Sequence, residues 1–235
     1  MMIFRALLIV FSLIVTPGLA AESASTAALF AQSYPLTRTI LVADFPQDLQ
    51  ALEQRFSEID NTEISPQLKL ERAFLELTAL RKKYAPNLRY ARTELSAVMV
   101  LSLAEFYRAV LRREGPAVCA AFAADGAATL LTLGQGALYA QDLDRQAATY
   151  FSAVASAFEN PDVVGAASED DWKMVMGTII AAGHPPSYVA SIATAKADDP
   201  DLCSALLALF QAMVVAQPDA AQRVRAEFVQ GATGY

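Results

Sequence analysis

Proline recurs along this 235-residue chain at helix-length intervals, usually just ahead of a stretch with helical apolar spacing. Proline has no amide hydrogen and holds φ near −65°, so it suits the first position of a helix and breaks a helix interior or a central strand. Ser65-Pro66 is the clearest case: Ser65 is an N-cap, and Leu70, Phe74, Leu77 and Tyr84 mark the apolar stripe that follows. Arg81, Lys82 and Lys83 fill the last turn, where cations complement the helix dipole, and Pro86-Asn87 ends the run. Pro46, with Asp44 or Phe45 just outside, starts a helix carrying Leu49, Leu52 and Phe56. Gly115-Pro116, Asp199-Pro200 and Pro218 open three more, while Asn160-Pro161 and Gly183-His184-Pro185-Pro186 are stops.

Between these breaks, Thr93 to Arg113 has the strongest helical pattern, with Leu95, Val98, Met99, Leu103, Phe106, Tyr107 and Val110 on one side. Asp142 to Phe158 places Tyr150, Val154 and Phe158 on one face. Ser168 can cap a helix whose first turn holds Glu169, Asp170 and Asp171. Leu36 to Ala43 fits a short helix or a strand, and residues 21–34 read as a flexible leader. The expected fold is all-α: an irregular multi-helix bundle or array of about eight to nine helices, forming one domain over 35–235 with a possible sub-boundary near 115.

The first twenty residues look like an address. Arg5 and the terminal amine precede an apolar run from Ala6 to Val15, which Pro17 and Gly18 interrupt. The run is about half of the roughly 20 apolar residues that a membrane-spanning helix needs. Small residues at Gly18 and Ala20 place cleavage of a signal peptide after Ala20. The expected location is periplasmic or secreted, with no transmembrane anchor after cleavage.

Hydrophobic residues make up 54% of the chain and mean hydropathy is +0.31, enough to bury a sizeable core. The wealth of Ala and Leu favours helices. A net charge of −7 and a pI near 4.8 argue against nucleic acid as a partner. The charge is uneven: residues 69–113 hold ten Lys/Arg against four Asp/Glu, a net of +6, which leaves −13 for the rest. Two cysteines in an exported protein are the number that makes one disulfide, Cys119 to Cys203.

Catalytic machinery is sparse. His184 is the sole histidine and sits beside two prolines in a helix-ending loop, where capping is its simplest role. With one histidine and two cysteines expected to be oxidised, the common zinc sites have no ligand set, and no metal or cofactor is expected. Glu169, Asp170 and Asp171 are the densest carboxylate cluster, but neighbours in a helix point in different directions. Gly136, Tyr139, Ala148 and Ala155 have tetratricopeptide-like spacing, yet no second copy appears, which makes the match a chance one.

The most suggestive local feature is the basic and aromatic stretch Arg81, Lys82, Lys83, Arg89, Tyr90 and Arg92. As a surface it could meet an envelope protein, anionic lipid or an acidic wall polymer. Non-catalytic macromolecular binding in the cell envelope is therefore the leading expectation. A carrier with an apolar cavity between helices is the second, and a carboxylate hydrolase using Glu169 or Asp171 the third.

Overall fold

A computed structural model describes residues 25–126, 129 and 136–232. The expected signal peptide and its cleavage site lie outside the described residues. Among the described residues, eleven α-helices run in order: α1 (Thr26–Ser33), α2 (Pro35–Asp44), α3 (Pro46–Asp60), α4 (Pro66–Tyr84), α5 (Thr93–Glu114), α6 (Pro116–Asp125), α7 (Ala140–Glu159), α8 (Glu169–Ala181), α9 (Ser187–Thr194), α10 (Leu202–Val215) and α11 (Pro218–Ala232). Short 3-10 helices cover Ala85–Tyr90 and Gly136–Tyr139, and there is no strand among the described residues. The all-α class holds, while the count exceeds the expected eight to nine.

Part of the surplus lies in the segment read as a leader. Ser25 caps α1 by accepting from the Ala28 amide, and Asp60 at the end of α3 accepts from both the amide and hydroxyl of Thr26. Phe30 then buries itself against Phe56 at 5.1 Å and Tyr34 at 5.4 Å between ring centroids. The sequence of 26–33 is too short and weakly patterned to fold alone, and the burial of Phe30 supplies the missing stabilisation. The ambiguous segment Leu36 to Ala43 is helical as part of α2.

Proline occupies the first position of α2, α3, α4, α6 and α11. Pro200 does not. The Asp199 carboxylate and carbonyl accept from the Asp201 and Leu202 amides, forming a turn, so α10 begins two residues later. Gly115 closes α5 at φ 83°, a left-handed conformation that a Cβ would strain. Helix α7 runs unbroken through the point where a tetratricopeptide hairpin would turn, in keeping with a chance match.

Helices α5 and α7 pack against each other at the centre. Tyr150, Phe151 and Val154 of α7 are fully buried. Side chains of this kind contribute about 1.5–3 kcal/mol each when removed from water. Helix α2 lies on α7, and α10 lies on α5, flanked by α6, α8, α9 and α11. The disulfide Cys119–Cys203 joins α6 to α10 with a Cα separation of 5.7 Å, as the cysteine count led one to expect. Arg225, itself buried, donates to the carbonyl of Met213 at 2.5 Å and to Ser96, tying α11 to the C-terminal end of α10. No described helix is long and apolar enough to cross a membrane.

Candidate functional site

The packing leaves a cavity of about 590 Å³ between α4, α5, α6, α7, α8, α9, α10 and α11. Its walls are mainly apolar, with Met99, Leu103 and Phe106 from α5, Phe122 from α6 and Leu209 from α10. Ligand pockets commonly enclose roughly 300–1,000 Å³ and combine apolar walls with a few polar groups. Glu227 of α11 also lines it and is exposed, so the cavity reaches solvent on that side. There the Trp172 indole of α8 donates to the Glu227 carboxylate at 3.2 Å.

Away from that mouth, Arg81 and Gln146 interrupt the apolar lining. The first, Arg81, belongs to α4. It stands four residues after Leu77 and three before Tyr84, on the stripe that α4 turns inward. Its Nε is sealed from solvent without a hydrogen-bond partner, and no carboxylate pairs with its guanidinium among the described residues. The guanidinium carbon lies 5.0 Å from the centroid of the Tyr150 ring, a cation–π contact. Tyr150 in turn donates its hydroxyl to the Arg81 carbonyl at 2.5 Å. Burial pushes the Arg81 guanidinium below its ordinary pKa, opposed by the Tyr150 and Tyr34 hydroxyls, yet an arginine starts so high that it stays charged.

The second is Gln146 of α7, one turn before Tyr150 on the same face. Gln146 is buried and lines the cavity, and its amide makes no hydrogen bond within the described residues. Burial pushes the hydroxyls of Tyr34 and Tyr150 well above the ordinary tyrosine range, so both remain neutral donors.

The expected basic surface is divided by this arrangement. Arg81 faces inward. Lys83 is exposed and pairs with Asp48 of α3 at 2.6 Å, while Tyr84 donates to the other Asp48 oxygen. Arg89 stacks over its neighbour Tyr90 at 5.2 Å, and Arg92 pairs with Glu94 at 3.6 Å. Lys82, Arg89, Tyr90 and Arg92 stay exposed. The structure thus separates one member of the six from the rest. The signal was present in the sequence, since a charge on an apolar stripe points into a core or a cavity. Gln146 carries the same signal on the stripe of Tyr150 and Val154.

The carboxylate cluster serves the start of α8. Asp171 and Ser168 form a reciprocal capping box. Arg223 of α11 grips Asp171 through two bonds of 2.9 and 2.6 Å, and this contact with the Ser168 bonds holds the carboxyl far below its usual range. A carboxylate held so firmly ionised has no proton to give as a general acid. Glu169 points to solvent and pairs with Lys173 at 2.7 Å. The His184 amide bonds to the Ile179 carbonyl at the end of α8, and its ring stacks on Tyr188. No cluster of three or more potential metal ligands occurs among the described residues.

Set against protein-family models, curated proteins and solved structures, the chain matches none of them.

Proposed function

We propose that this protein is an exported carrier that binds a small, mainly apolar molecule in the cavity between its helices. The observation that carries this reading is the cavity itself: about 590 Å³, apolar-walled, open to solvent beside Glu227, and furnished with polar groups that have no protein partner. Evolved interiors are close-packed, so a void of this size lined by a charge costs stability unless something occupies it. The disulfide and the apolar N-terminal run support a periplasmic or secreted setting, where apolar molecules need a protein to cross water. Native mass spectrometry of protein purified without detergent should show an adduct of a few hundred daltons that is lost on denaturation. Trp172, the single tryptophan, lines the cavity and should change its emission on titration with a fluorescent apolar probe. The absence of both an adduct and a saturable Trp172 response would end the proposal.

A second reading keeps the basic surface as a contact for an envelope protein, anionic lipid or wall polymer. It is favoured by the exposure of Lys82, Arg89, Tyr90 and Arg92 within the basic segment. Its test is reversal of Lys82 and Arg89 to glutamate, leaving Arg81 in place. Pull-down of an envelope partner should be lost, and unchanged pull-down removes the reading.

A further inference from the structure

Arg81 is the only cation among the described residues that line the cavity, and no carboxylate of the described residues pairs with it. Asp144, which shares Tyr34 with Arg81 as an electrostatic neighbour, has its two oxygens committed to Leu36 and Thr37. The Arg81 side chain is half-buried, and a guanidinium partly withdrawn from water with no carboxylate beside it is stabilised when an anion arrives on its cavity side. We infer that the ligand is a single-chain carboxylic acid whose carboxylate meets Arg81 and the Gln146 amide, with its hydrocarbon chain along the apolar wall. This inference rests on the carrier reading above and names the class of molecule carried.

Three features select this class. Of the charged groups in the described lining, Glu227 stands exposed at the mouth with Trp172 and Arg81 alone is set deeper, so the inner cavity calls for a monoanion, whereas a phosphate dianion would leave one charge uncompensated there. The guanidinium presents a planar fork that matches a carboxylate edge to edge. Tyr150 fixes that fork, holding its face by the ring at 5.0 Å and its backbone by the hydroxyl bond of 2.5 Å. Gln146, on the same face of α7 as Tyr150, adds a neutral N–H donor from the cavity wall. Met99, Leu103, Phe106, Phe122 and Leu209 offer hydrocarbon contact, with Glu227 and Trp172 paired at the mouth.

The test compares hexadecanoic acid with hexadecan-1-ol, both below their aggregation limits, by Trp172 fluorescence on the full-length mature protein. The acid should bind the wild-type protein at least about tenfold more tightly than the alcohol, the effect of one charge-assisted hydrogen-bonded contact. Arg81→Met should bring the two within about twofold by weakening the acid and sparing the alcohol, with Arg81→Lys between these limits. Equal binding of acid and alcohol by the wild type would overturn the inference while leaving the carrier reading intact. Binding of neither would remove both. If Arg81→Met loses its helical circular dichroism, the wild-type ratio and Gln146→Leu decide the matter, the latter lowering acid affinity alone. A preference for acid that survives every folded Arg81 variant also overturns the inference.

Discussion

Arg81 and Tyr150 hold each other twice: the guanidinium lies 5.0 Å from the ring centroid, and the hydroxyl returns a 2.5 Å hydrogen bond to the Arg81 carbonyl. The pair joins α4 to α7 across 69 residues of sequence and aims a charge into an apolar cavity. Tyr150→Phe removes the hydroxyl bond and keeps the ring. It should lower stability by about 1 kcal/mol in urea unfolding, with the preference for acid over alcohol kept. Tyr150→Leu also removes the ring and should reduce that preference. An unchanged preference in Tyr150→Leu would show that the ring does not position Arg81.

Asp144 of α7 accepts from the Leu36 and Thr37 amides and from the Thr37 hydroxyl, so it caps α2 from 107 residues away. Asp144→Ala removes the acceptor of the Leu36 amide and of the buried Thr37 amide, while the Thr37 hydroxyl keeps the Asp144 carbonyl, and should cost about 1–3 kcal/mol. The midpoint of urea denaturation measures this, and a loss under about 0.5 kcal/mol, the size of an ordinary surface substitution, would contradict it.

Phe30 anchors α1, the helix that stands where a loose leader was expected. Phe30→Ala should destabilise by about 3–5 kcal/mol and expose the Ser25 to Tyr34 segment to protease. Proteolysis that is as slow as in wild type would mean that α1 does not depend on this contact.

Reduction of Cys119–Cys203 opens a loop whose ends are 84 residues apart in sequence. Stability should fall by about 2–5 kcal/mol. Urea curves with and without reductant report the difference, and intact mass under non-reducing conditions should lie about two daltons below the reduced mass because two hydrogens are lost.

Asp171 is held far below the carboxylate range, first by Arg223 and then by Ser168. The unfolded chain therefore takes up the proton first, near pH 3.9. The stabilisation is complete above that pH and declines as the pH falls further toward the folded-state value. Asp171→Asn should flatten the acid limb of a stability profile between about pH 4 and pH 2. A profile as steep as that of the wild type would assign acid sensitivity to other groups.

Much of the helical layout was legible locally. Pro46, Pro66, Pro116 and Pro218 each begin a helix, Ser65 and Ser168 cap as expected, and Gly115 closes α5. These features act through a fixed φ, a missing N–H or a side chain three residues away, all of which are written in neighbouring letters. The disulfide was legible from cysteine count and setting. The candidate site was legible only in part. Arg81 and Gln146 each sit on an apolar stripe, which marks them as unusual, but a stripe does not say whether it faces a packed core or a void.

By itself, the sequence determined that the chain is all-helical, where most of its helices begin and end, and which two cysteines could join. Tertiary structure alone decided that Thr26 to Ser33 is a helix, that Asp144 and Asp162 cap α2 and α5 from a distance, and that Arg81 leaves Lys82 and Lys83 to enter a cavity. The division follows the range of the forces. Dihedral restriction and helical period act within a turn or two. Caps borrowed from 69 to 107 residues away, and a void bounded by eight helices, exist only once those helices have met.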